Sequence, residues 1–158
     1  MARIMNMDRC VNPRPVTFIN SVVGLERGLF LEIEGMAANN VFGGGADDFE
    51  AYKVKLASAT TKAGDLVINT TVPKQYDERL EEKDFAMAVG AIGRAHYITT
   101  GDEYTIAKDL VTGVNAVGDE VELAANGKLA KKNTGVAIGE VVRIYTWNGQ
   151  ESVMIRFY

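Results

Sequence analysis

Hydrophobic and polar residues in this chain alternate over short runs, and the runs end in glycine. In "GLFLEIEG", Leu29, Leu31 and Ile33 fall on one side and Phe30, Glu32 and Glu34 on the other. In "AYKVKLA" the apolar side carries Tyr52, Val54 and Leu56. A period of two is the signature of a half-buried strand. Three further runs begin with Gly-Asp: "AGDLVI" at 63–68, "TGDEYTI" at 100–106 and "VGDEVEL" at 117–123. Glycine suits the positive φ of a turn, and aspartate caps the amides that the turn leaves free. The runs "FAMAVG" and "RAHYIT" read as strands around a flexible "GAIG".

Two Asn-Gly pairs sit between alternating runs near the end, at Asn126-Gly127 and Asn148-Gly149. This dipeptide favours the two-residue hairpin turn whose twist matches that of its strands. With a two-residue loop at 148–149, Ile144 faces Val153, Val142 faces Ile155 and Glu140 faces Phe157. The other side then pairs Tyr145 with Ser152, Arg143 with Met154 and Val141 with Arg156. The same count at 126–127 sets Glu122 opposite Lys131 and Leu123 opposite Ala130. Many short strands with glycine turns predict an all-β fold, a small barrel or sandwich with hairpins and an extended N-terminal arm. The one helix candidate is 73–84, "PKQYDERLEEKD", with only Tyr76 and Leu80 as apolar anchors.

The arm is residues 1–16, where Pro13 and Pro15 remove backbone donors and hold the chain extended. Its candidate interface residues are Arg3, Met5, Met7, Arg9, Val11, Pro13, Arg14 and Pro15. Three arginines against Asp8 give it a net +2 on a chain of −4. An acidic partner surface is the expected target. Residues 17–158 are expected to form a single β-rich domain. Its glycine-rich loop at 35–48 is expected to be mobile unless a partner pins it.

Composition narrows the functional classes. A net charge of −4 argues against nucleic acid and against anionic lipid as partners. The longest stretch without Asp, Glu, Lys or Arg is Gly35–Ala46, too short for the ~20 residues of a membrane helix. No secretion signal opens the chain, so synthesis in a cytoplasm is expected. A lone Cys10 excludes an internal disulfide.

The residues that chemistry needs are sparse. His96 is the one histidine and lies in a strand pattern with no nucleophile beside it. One His and one Cys far apart do not make a zinc site. Gly113 and Gly118 have phosphate-loop spacing, but Asp119 and Glu120 stand where Lys and Ser or Thr belong. "GGGADD" lacks the third glycine of a dinucleotide fingerprint, and Asp47, Asp48 and Glu50 read as solvated loop acids. No cofactor and no enzymatic activity are expected. Lys128 beyond a hairpin tip bears a loose likeness to a lipoyl or biotinyl carrier, without the flanking residues such a domain presents.

The run "VGDEVELAANGKLAKKNTGVAIGEVV", residues 117–142, resembles the decoration (cement) proteins of tailed-phage heads. A Gly-Asp entry, an NGKL hairpin and a GVAIGEV-like return strand carry the resemblance, which covers about the last 60 residues and the general layout. It implies a structural virion protein, made in the host cytoplasm, that binds the outside of the capsid. Its partner would be the major capsid protein, at joints between subunits, with self-association as a trimer. A phage tail or head–tail joining protein shares this grammar. A ligand-binding β-barrel and a carboxylate-only hydrolase are the other classes left open.

Overall fold

Phe30 and Leu31 are neighbours in sequence, and both are completely buried, but in different cores. Their separation explains the architecture. The computed structural model describes residues 5–37, 51–71, 86–147 and 149–158. The helix candidate at 73–84 and positions 38–48 of the glycine-rich loop lie outside the described residues.

Among the described residues twelve strands form two sheets. Strands β2 (Pro15–Ile19), β3 (Phe30–Met36), β4 (Tyr52–Leu56), β5 (Leu66–Asn69) and β6 (Ile92–Tyr97) close a barrel in the order β2-β4-β3-β5-β6. The second sheet contains β1 (Met5–Arg9), β7 (Glu103–Ala107), β8 (Val111–Thr112) and β9 (Glu120–Leu123), with β10 (Leu129–Lys131), β11 (Gly139–Trp147) and β12 (Gln150–Phe157). Its order is β1-β7-β12-β11-β9-β10-β8. Pairing is antiparallel except β2 with β4 and β8 with β10. The all-β expectation holds, with a barrel as its centre.

Inside the barrel, Phe18, Leu31, Val54, Val67 and Ala95 pack together. Outside it, Phe30, Leu66 and Ile68 meet Tyr104, Ile106, Val153, Ile155 and Phe157 of the second sheet. The rings of Phe30 and Phe157 lie 5.9 Å apart. Strands β3 and β5 therefore wall both cores, which is why all of β5 is buried. Gly93 belongs to β6 and not to a flexible link. A Cβ there would fall 2.4 Å from Phe18 Cζ, so the lumen requires a glycine. Of the "FAMAVG" run the described residues 86–90 form no strand, and among them only Met87 makes a bridge, to Leu25.

The terminal hairpin follows the predicted register from Trp147↔Gln150 to Arg143↔Met154. Val142 then bulges out, and Val141 takes the position opposite Ile155. Glu140 and Gly139 follow, opposite Arg156 and Phe157. A bulge gives one strand an extra residue and turns it. Here it brings β11 alongside β9, where Gly139 pairs with Val121. The other hairpin differs by one residue: Leu129 faces Leu123 and Ala130 faces Glu122. Its loop holds three residues, Ala125–Gly127, closed by Ala124 N donating to Lys128 O at 2.9 Å. The cause is docking. Gly127 is buried at the barrel and donates to Ala57 O at 2.9 Å.

Two boundaries need correction. β3 continues through Gly35 and Met36, because a bulge at Glu34 and a φ of +143° at Gly35 preserve pairing with β4. The border between arm and body at 16/17 falls inside β2. Residues 5–9 are extended, as two prolines suggested for this segment, but they are strand β1 on the edge of their own sheet.

Candidate interaction site

Residues 5–11 meet the body along β7 and the turn before it. β1 pairs Met5 with Ile106, Asn6 with Thr105, Met7 with Tyr104 and Arg9 with Glu103, slipping at Asp8. The Gly-Asp signal at 101–102 makes this junction. Gly101 adopts φ +91°, and Asp102 is fully buried. Its Oδ2 accepts from Thr99 N at 2.9 Å and its Oδ1 from Val11 N at 2.8 Å. The aspartate that ends the barrel-to-sheet connection thereby also clamps the N-terminal segment. Cys10 Sγ lies 3.3 Å from Tyr104 OH. Burial, with that contact, raises the Tyr104 phenol well above its ordinary value.

On the outer face of the sheet, Thr105 donates to Asp8 Oδ2 at 2.6 Å, which leaves Tyr145 OH to donate to Thr105 Oγ1 at 2.8 Å. The Arg143 guanidinium covers the Tyr145 ring at 4.4 Å.

The predicted interface residues differ in their surroundings. Arg3 lies outside the described residues, as does the Met5 side chain. Met7 packs on the core and Arg9 is exposed. Val11, Pro13 and Arg14, in the link between β1 and β2, and Pro15, which opens β2, are also exposed. Arg14 stacks on the Tyr97 ring at 4.7 Å. Only part of the segment is thus presented outward. Pairing with β7 satisfies backbone groups that an arm in water would leave to solvent.

A second surface was not anticipated. At the barrel rim where β2 ends and β6 begins, Val23, Val89 and Ile92 are 88%, 59% and 43% exposed. Buried Asn20 holds this rim together. Its Nδ2 lies within 3.0 Å of the carbonyls of Val22, Met87 and Ala88, and its Oδ1 accepts from Val22 N. The valines are carried on turns fixed from beneath. The sequence signal was a valine next to a turn glycine, Val23-Gly24 and Val89-Gly90.

Elsewhere the candidate chemistry is used internally. His96 Nδ1 lies 2.7 Å from Thr70 Oγ1, and burial lowers its pKa. The 113–118 turn points the amides of Asn115 and Ala116 at Asp119 Oδ2, both at 3.0 Å. Its own carboxylate fills the position a phosphate would need. Lys131, 2.7 Å from Asp119, together with those amides holds that carboxyl at about 2. Asp47, Asp48 and Glu50 lie outside the described residues. Among the described residues no group of three or more His, Cys, Asp or Glu could hold a metal ion. Among them, too, no helix is long and apolar enough to cross a membrane.

No protein-family model matches the chain, and no curated protein matches it.

Proposed function

We propose that this protein is a structural component of a tailed-phage virion, docking on the outside of the capsid to stabilise joints between major capsid subunits. The observation that carries the reading is the apolar rim of Val23, Val89 and Ile92, fixed by Asn20. Rigid exposed apolar side chains suit adhesion, since they bury area on contact without first losing conformational freedom. The resemblance of residues 117–142 to decoration proteins supports the same reading. Those residues span β9, β10 and the start of β11, a continuous part of the second sheet. Many copies on one shell make modest individual contacts sufficient, because opening a joint breaks several together.

The protein acts by binding, not by turnover. Asp102 and Asp119 are each engaged by two backbone amides, and His96 bonds the Thr70 hydroxyl. A ligand-carrying barrel is disfavoured by a lumen filled with Phe18, Leu31, Val54, Val67 and Met87. A tail or head–tail joining protein shares the surface chemistry and differs in location. Association as a trimer is carried over from the resemblance.

The test is co-sedimentation with assembled heads. The protein is expected at shell-wide copy number, and Val23→Asp with Val89→Asp is expected to abolish pelleting while leaving the β circular dichroism unchanged. Binding at a single vertex or to tails would replace this reading with the joining-protein one. Pelleting unaffected by both substitutions would remove the rim from it.

A further inference from the structure

We infer that β1 is an exchangeable strand, and that the groove along β7 accepts the β1 of a second copy of this chain. The inference is independent of the capsid reading. Three hydrogen-bonding contacts of residues 8–11 and the packing of Val11 lead to residues 101–105, on β7 and the turn before it. Val11 N reaches Asp102, Cys10 reaches Tyr104, Asp8 reaches Thr105, and the Val11 side chain rests 3.2 Å from a Cβ position at Gly101. Among the described residues β1 has one strand partner, β7, and stands at the end of the sheet order. Without β1, the groove would present bare strand amides, a buried carboxylate and a buried phenol. Such a row is satisfied by a strand of this sequence and register.

The connection is what favours a neighbour. From Arg14 onward the chain belongs to the barrel, since Tyr97 N donates to Arg14 O at 3.0 Å. Two residues, Asn12 and Pro13, separate docked Val11 from docked Arg14, so three residue steps reach at most ~10 Å. Asn12 and Arg14 each precede a proline, which biases them to extended backbone. In the closed chain the direction must change at Val11–Asn12. A tether this short would ordinarily give the cis strand an effective concentration of the order of mM. A tether that resists bending loses that advantage, while the contacts at β7 are the same in cis and in trans. Exchange of an identical element then builds an oligomer without any new interface chemistry.

The experiment uses the full chain with Cys10→Ser, Arg9→Cys and Glu103→Cys, the last two at paired positions. A flexible bis-maleimide long enough to join them in either arrangement is added, and the product is run on a denaturing gel beside native mass spectrometry of the wild type. Exchange predicts an oligomeric native mass and cross-linked bands of two or more chains, persisting on dilution. It also predicts that Pro13→Gly shifts the native mass toward the monomer, by freeing the bend. A monomeric wild type, or an oligomer whose cross-links stay within single chains, would overturn the inference.

Discussion

Gly127 is where one sheet is fastened to the other, and its replacement by alanine measures that fastening. Its φ is +68°, a region that costs an L-residue about 1–2 kcal/mol. An added Cβ would lie 2.4 Å from Phe30 O and 3.3 Å from Phe30 N, both backbone atoms of β3. Backbone cannot rotate aside, so the turn must lift and strain its bond to Ala57 O, at an overpacking cost of about 1–3 kcal/mol. The total is about 3 kcal/mol. Gly149 is the internal control. Its φ is +73°, yet a Cβ there meets nothing within 4 Å, so Gly149→Ala carries only the conformational part, about 1 kcal/mol. At ~2–4 °C per kcal/mol for a chain of this size, Gly127→Ala should melt about 4–8 °C below Gly149→Ala. Urea unfolding of both variants should give equal slopes with different midpoints. If the two variants lose the same stability, the turn does not dock on the barrel and the account of its three-residue loop fails.

Gly93→Ala should cost about 1–3 kcal/mol by crowding Phe18. Combined with Phe18→Leu, which withdraws the ring tip, its cost should shrink well below additivity in a double-mutant cycle. His96 has a folded-state pKa below its ordinary 6.5, so the unfolded chain binds the extra proton first. Its contribution is therefore complete above pH ~6.5 and is lost as pH falls through the lowered value. His96→Gln should flatten the stability slope on the acid side of pH ~6.5 in denaturant titrations. Asp119, held at about 2 against an ordinary 3.8, contributes above the ordinary value and loses that contribution between the two. Asp119→Asn should shallow the acid limb of the unfolding curve in that window and leave neutral-pH slope unchanged. Asp102→Ala strands two amides, Val11 N and Thr99 N, and should cost about 2–4 kcal/mol with faster hydrogen exchange across residues 5–11.

What could be read from the sequence was whatever short-range chemistry decides. Alternation in 29–34 and 51–57 assigned the inward residues of β3 and β4, and Asn148-Gly149 set the register of the last hairpin as far as Arg143. Two of the Gly-Asp signals did what turn chemistry predicts: Gly101 and Gly118 take positive φ, and Asp102 and Asp119 cap amides. At Gly64-Asp65 the chain makes a 3-10 turn instead. The failures have long-range causes. The bulge at Val142 exists because β11 must pair with β12 on one side and β9 on the other. The three-residue loop at 125–127 exists because its tip lodges against β3. The pairing of β1 with β7 spans about a hundred positions, and no local pattern announces it. No local pattern marks the apolar rim, because each of its valines stands singly beside a turn glycine, at Val23-Gly24 and Val89-Gly90.

Strands β3 and β5 form a party wall, and neither room stands without it. Phe30, Leu66 and Ile68 project from its outer surface while Leu31 and Val67 project from its inner one. Melting either side would expose the reverse of the same strands, so thermal collapse of the barrel and of the seven-stranded sheet should coincide in one calorimetric peak. A protease nicking an outer turn would leave the fragments clasped, and neither half should survive being expressed alone.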